Sequence, residues 1–403
     1  MQLTGYNYIN DCPRAEGGLA RLAGVIEAQR KEAQARGGCV SLCDNGAALQ
    51  GNAVADLVAR QNTAPHPMAQ VFNHLRYDVV GLGNHDLDFG LGHLDTFMRG
   101  CEMPVISSNL TTPAIPHLAP FALLERRIGG HKISIGIVSS MPQQTANWNR
   151  HHLEGNALVD DQIAALETQV KALTKRGVDI LVVLAHCGIA RSDNSDRREN
   201  QIQDIAAMCG ISVVIAGHTH RRFPAPEYTA YDTANIARGT LSGRPLAQPA
   251  PYASEIAVLD LGLTLDPETR VWSVGKSRTR LIKPRKYAIE APEITQIAAP
   301  VHDATRAYLG ERITCQAPAV NSFFAMLRPN TIQNLLADVR RQVIARRVAG
   351  TPLASLPLLA ATCDFVADGA DGPKNFIDVP DGRFERRHIT AMTPFSDQIW
   401  AVV

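Results

Sequence analysis

Residues 81–90 read GLGNHDLDFG and close the apolar run YDVVGLG of residues 77–83. An apolar run that ends in glycines, an amide, an imidazole and a carboxylate predicts a buried strand running into a loop that carries chemistry. Two further apolar runs end in the same way. DILVVLAHCG (179–188) ends on His186, and ISVVIAGHTH (211–220) ends on His218 and His220. In α/β folds, ligands bind outside the carboxyl ends of the strands. Strand ends carrying Asn84, His85, Asp86, His186, His218 and His220 therefore predict one metal-binding cleft. A lone histidine at a strand end is more often a hydrogen-bonded structural residue; it is the ordered set that points to a site. The i, i+2 spacing of His218 and His220 on an extended chain turns both imidazoles to one side.

Outward from these ends the pattern alternates. Leu19, Leu22, Val25 and Ile26 fall at helical spacing within 17–36. Further helices are predicted at 53–61, 67–76, 92–100, 158–176, 198–208, 292–309 and 330–347. Strands are predicted at 39–46, 104–110, 133–140 and 357–363, and an antiparallel pair at 254–266 and 270–282.

Bulk properties narrow the function. The 403 residues are 45% hydrophobic and 20% charged, with 40 Lys+Arg against 39 Asp+Glu and a net charge of +1. That balance gives no electrostatic reason to expect a nucleic-acid polymer or a membrane surface as partner. No run approaches the ~18 apolar residues of a membrane span. The start, MQLTGYNYIN, has neither a basic nor an apolar segment of a secretory signal, so the chain as written reads as cytoplasmic. The eight cysteines form no CxxC pair, and most, Cys39 and Cys43 included, read as small core residues.

The motifs GGLAR (17–21), DNGAALQGNAVAD (44–56), GLGNHDLDFG (81–90), SSNL (107–110), LAHCGI (184–189), AGHTHRRFP (216–224) and GTLSGRP (239–245) together resemble one family. It is the bacterial 5'-nucleotidase / 2',3'-cyclic-nucleotide 2'-phosphodiesterase–3'-nucleotidase family of calcineurin-like metallophosphoesterases. The resemblance runs through most of the chain. It implies a four-layer α/β/β/α metallophosphoesterase sandwich over 1–285, a helical linker at 286–312, and a partial α/β nucleoside-binding domain at 313–403. It also implies a periplasmic or secreted enzyme that hydrolyses nucleotides or cyclic nucleotides with two divalent metals, zinc or manganese by the donor types. Residue by residue, it implies Asn84, His186 and His218 as ligands of the second metal and His220 as a ligand of the first. His85 becomes the general acid or charge stabiliser at the leaving oxygen, with Asp86 to orient it.

Departures from the family pattern are equally specific. The family opens on an Asp-x-His; this chain has none, and no histidine precedes His66. The family's metal-bridging aspartate in DNGD is Ala47 here. The first metal keeps His220 alone and the second keeps three neutral donors, which leaves one metal or none. Asp44, Asp88 and Asp11 are the remaining candidates for a replacement carboxylate. Lys374 stands where relatives often carry a phosphate-binding arginine, and Arg221 and Arg222 follow GHTH. Three readings follow: a hydrolase whose true start lies upstream, a decayed enzyme, or a protein that binds a phosphate ligand through one metal.

Overall fold

The computed structural model describes residues 1–191, 193, 195–314, 318–362, 366, 376–382 and 384–393. They form two units: Met1–Tyr6 with Pro13–Val301, and Asn7–Cys12 with the residues from His302 onward. The division falls inside the helix Pro292–Leu309, which the sequence pattern predicts to the residue. The segment expected to link two domains is thus shared between the units. Among the described residues, no helix is long and apolar enough to cross a membrane.

The first unit is built on two sheets. Cys43–Asp44, Val79–Gly81 and Val105–Ile106 form a parallel sheet in that order. A seven-stranded sheet runs Ala234–Asn235, Thr240–Leu241, Arg244–Ala247, Val213–Ala216, Ile180–Ala185, His131–Ser140, Phe121–Ile128. Its central strands are parallel, and Ala185 pairs with Ala216 on one side and Ser140 on the other. These strands therefore end level, and the residues that follow them, His186 and the Gly217–His218 turn, emerge side by side. Val79 and Ile106 of the small sheet and Ala122, Ile137 and Leu184 of the large one make a shared apolar core between the sheets. Gly81 marks how close the sheets come, since a Cβ there would lie 2.6 Å from Ser139 Oγ. On the outer face of the large sheet, Leu166, Val170, Leu173, Ile202 and Ile205 bury the helices Gln162–Lys175 and Ile202–Ala207. Helices Ala53–Gln61, Pro67–His74 and Leu91–Gly100 bury Val58, Val71, Phe72, Leu94 and Phe97. Helix, sheet, sheet and helix give the four expected layers. The antiparallel pair Ile256–Leu265 and Trp272–Ile282 is also present.

Local chemistry corrects several boundaries. The helix expected at 158–176 begins at Gln162, because Asp161 caps it by accepting from the Ala164 N–H at 2.9 Å. Leu158–Val159 before it pairs as a strand with Leu110–Thr111. No strand forms at 357–362, where Leu359 is 97% exposed, so apolar content there reflects no sheet position. Cys12, Cys39 and Cys209 are exposed, and only Cys187 of the six described cysteines is buried, against the expectation of core roles. Residues 39–42 form no strand, which leaves Cys39 at the surface.

His66 caps Pro67–His74 through its Nδ1, which accepts from the Met68 N–H at 3.2 Å. It is fully buried beside His93, 5.1 Å between ring centroids. Burial pushes its pKa down to about 3 from the ordinary 6.5. The folded chain thus binds one proton fewer than the unfolded chain between those values, so stability is complete above 6.5 and falls as pH drops toward 3. The slope expected from this group is up to about 1.4 kcal/mol per pH unit. His66→Asn, which keeps a cap acceptor, should flatten that part of the urea-unfolding profile between pH 6 and 4; an unchanged slope would assign it elsewhere.

The second unit has its own small core of Val320, Ile332, Leu336, Ile377, Val379, Ala391 and Met392, with Ile9 packed against it. Asp11 is held there by Arg306 at 2.9 Å and Arg387 at 3.5 Å, which removes it as a candidate for a replacement metal carboxylate.

Candidate metal centre

The loops after the strands are tied into one structure by backbone contacts. Asn45 Nδ2 donates to the carbonyls of Ala185 (3.1 Å) and Ile215 (3.2 Å), so the small sheet's first loop bridges the ends of two strands of the large sheet. Gly46, at φ +89°, and Gly83 lie backbone against backbone: a Cβ on Gly46 would meet Gly83 N at 2.2 Å. A Cβ on Gly83 would lie 2.7 Å from Ala47 N and 2.8 Å from the His186 ring, so residues 47 and 186 flank the same glycine. Asn109 joins the neighbouring strand ends, exchanging hydrogen bonds with Met141 at 2.8 and 3.1 Å.

Within this frame the predicted residues take distinct places. His186 is buried, and its Nδ1 donates to the Asn45 carbonyl at 2.7 Å, which leaves the lone pair on Nε2. Burial first, then the charges of His218, His85 and His220, push His186 down to about 3; it is a neutral imidazole, and the other three histidines lie near it. His218, at φ +68°, has Nε2 2.6 Å from Glu199 Oε1 and donates to it. Its lone pair is then on Nδ1, which faces Asn84 Oδ1 at 3.2 Å. A neutral His218 thus presents a lone pair toward Asn84 Oδ1, and a protonated one an N–H that donates to it; the neutral ring is the form that could share a cation with that oxygen. The His186 and His218 rings meet edge to face at 5.7 Å, and Trp148 stacks on His218 at 5.6 Å and 19°. His220 stands against the Tyr252 ring at 5.7 Å.

The carboxylate in contact with His85 Nδ1 is Asp88, at 2.7 Å, and not the expected Asp86. Residues Asn84–Leu87 form a 3₁₀ turn, in which positions i and i+3 lie one above the other, and this brings Asp88 to His85. Asp86 instead faces the loop below, where it accepts from the N–H groups of Gly83 (2.8 Å), Ala47 (2.7 Å) and Leu49 (3.0 Å). Asp44 is half-buried and accepts from the Gly46 N–H at 2.9 Å; loss of solvent around the carboxyl pushes it up to about 7. Arg222 is paired with buried Glu255 at 2.9 Å. Lys374 lies outside the described residues.

Asn84 Oδ1, His186 Nε2 and His218 Nδ1 are donor types that suit a divalent cation. Among the described residues, no three His, Cys, Asp or Glu side chains gather where an ion could be held, so the convergence is two imidazoles and an amide. Sequence reasoning missed Asp88's role, Asn45 and Glu199. The i+3 spacing could have revealed Asp88; Asn45 and Glu199 act through contacts distant in sequence.

Residues 42–222 match the family described as calcineurin-like phosphoesterase. The chain carries a calcineurin-like phosphoesterase domain. It is 30% identical over 404 aligned residues to the 2',3'-cyclic-nucleotide 2'-phosphodiesterase/3'-nucleotidase of Haemophilus influenzae, across 96% of this chain and 61% of that one. It is 28% identical to the trifunctional nucleotide phosphoesterase protein YfkN of Bacillus subtilis, across 94% of this chain and 26% of that one. The chain thus spans less than two thirds of the length of these curated relatives. The solved calcineurin-like phosphoesterase YfkN from Bacillus subtilis superposes with a TM-score of 0.69 at 28% identity, covering 76% of this chain and 95% of that one. A putative 5'-nucleotidase from Staphylococcus aureus, at 18% identity and a TM-score of 0.70 over 98% of this chain, shares the fold.

Proposed function

We propose that this phosphoesterase domain binds one divalent cation, zinc or manganese, and hydrolyses nucleotide phosphoesters of the 2',3'-cyclic, 3'- or 5'-kind for which its relatives are named. The observation that carries this reading is the opposed pair Asn84 Oδ1 and His218 Nδ1 beside the neutral His186. A divalent ion held there would supply charge neutralisation at the phosphoryl oxygens and acidify a water. His186 and His218 hold their donor nitrogens by bonds to Asn45 and Glu199, so little reorganisation is needed on binding. Asp88 accepts from His85 Nδ1 and so orients the ring, whose Nε2, when protonated, would donate to the ester's leaving oxygen. The second unit is proposed, on the family resemblance alone, as the nucleoside-binding part.

Hydrolysis of 2',3'-cyclic AMP by the purified chain with added Mn²⁺ tests the reading. The expected result is turnover that falls at least ~10²-fold in His85→Ala, the lower end for losing a positioned acid–base group. Ala47 favours a second reading, a nucleotide-binding protein without turnover. Calorimetric binding of 3'-AMP with no hydrolysis above the His85→Ala level would select it.

A further inference from the structure

We propose that Glu199 is the positioning carboxylate of this centre. This rests on the one-cation reading above. Glu199 Oε1 sits 2.6 Å from His218 Nε2, a charge-assisted distance, on the ring nitrogen opposite the one that faces Asn84. The contact fixes the tautomer of His218, aims the Nδ1 lone pair, and raises the basicity of that nitrogen. It also places a negative charge one residue behind a donor set that is otherwise neutral, with Ala47 where a carboxylate would be expected.

The loop that carries Glu199 is anchored for this purpose. The next residue, Asn200, is buried, and its Oδ1 accepts from the Gly188 N–H at 2.9 Å, two residues beyond His186. Asn200 Nδ2 donates to Asp196 Oδ2 at 3.1 Å, and the Glu199 and Asn200 N–H groups both bond to the Asp196 carbonyl. The Glu199 carboxylate thus reaches His218 from a backbone fixed on the strand end that presents His186. On its own side, His218 is held in a left-handed conformation and stacked under Trp148, so its ring has little freedom to find another partner.

Two readouts on the full chain test the role. In the metal-free protein labelled with ¹⁵N-histidine, long-range ¹H–¹⁵N correlation should show His218 as the Nε2–H tautomer, assigned by its loss in His218→Gln. Glu199→Gln should shift it toward a tautomer mixture and Glu199→Asp should restore part of it. By calorimetry, Mn²⁺ affinity should fall ~10–100-fold in Glu199→Gln, the range for losing such a partner of a ligating histidine. The melting temperature should be unchanged. An unaltered tautomer or affinity in Glu199→Gln, or a loss matched by a lowered melting temperature, would overturn the proposal. A wild-type chain that binds no Mn²⁺ would sink the one-cation reading instead, and the tautomer result would then decide the role of Glu199.

Discussion

Ala47→Asp should raise Mn²⁺ affinity at least ~10-fold and phosphoester hydrolysis by ~10²–10³, since a carboxylate at the centre is worth several kcal/mol of charge stabilisation and each 1.4 kcal/mol is about tenfold. The backbone already favours the change. Residue 47 sits at φ +60°, in the left-handed region, which costs an alanine about 1 kcal/mol and which aspartate tolerates better. Its N–H is bonded to Asp86, so the loop conformation does not depend on the side chain at 47. A Cβ on Gly83 would lie 2.7 Å from the residue 47 N and 2.8 Å from the His186 ring, so the backbone of residue 47 runs close to a proposed ligand. Calorimetry with Mn²⁺ and initial rates on 2',3'-cyclic AMP check both arms. Unchanged affinity and rate would mean that the alanine is no lesion, and that the neutral donors with Glu199 behind them are the centre's working form.

The parts legible in the sequence were those where one strong local signal decides. The apolar runs that end at Gly83, Ala185 and Ala216 place three strand ends, and Ala53–Gln61 and Pro292–Leu309 follow from helical spacing with clear stops. Of the residues at those ends, His218, His85 and His220 lie within electrostatic reach of His186. Illegible were features set by partners far along the chain. Leu158–Val159 has helical periodicity yet pairs with Leu110–Thr111, because Asp161 delays the helix. Residues 357–362 have a strand's composition with no sheet edge to join. Asp86 and Asp88 are equally plausible partners for His85 in one dimension; only the 3₁₀ turn separates them, sending one to the imidazole and the other to the loop below.

That separation carries the second large effect. Asp86→Ala should cost ~3–5 kcal/mol of folding stability, whereas Asp88→Ala should leave unfolding within ~1 kcal/mol of wild type and lower hydrolysis. The Asp86 side chain is 2% exposed and accepts from three backbone N–H groups on two loops. Each buried donor left unpaired costs about 1–3 kcal/mol, and the three share one acceptor group, so the sum is less than additive. Burial pushes the carboxyl's pKa up, and the N–H groups oppose that shift. The loops it staples are those in which Gly46 and Gly83 touch backbone to backbone, so losing the carboxylate also loosens Asn84 and His186. Asp86→Asn, which keeps an oxygen acceptor but brings its own N–H₂ donors against the loop, should fall between wild type and alanine. Urea unfolding of the three variants beside their hydrolysis rates separates the roles. An Asp86→Ala chain that unfolds at the wild-type urea concentration but has lost hydrolysis would return Asp86 to His85 and to the chemistry.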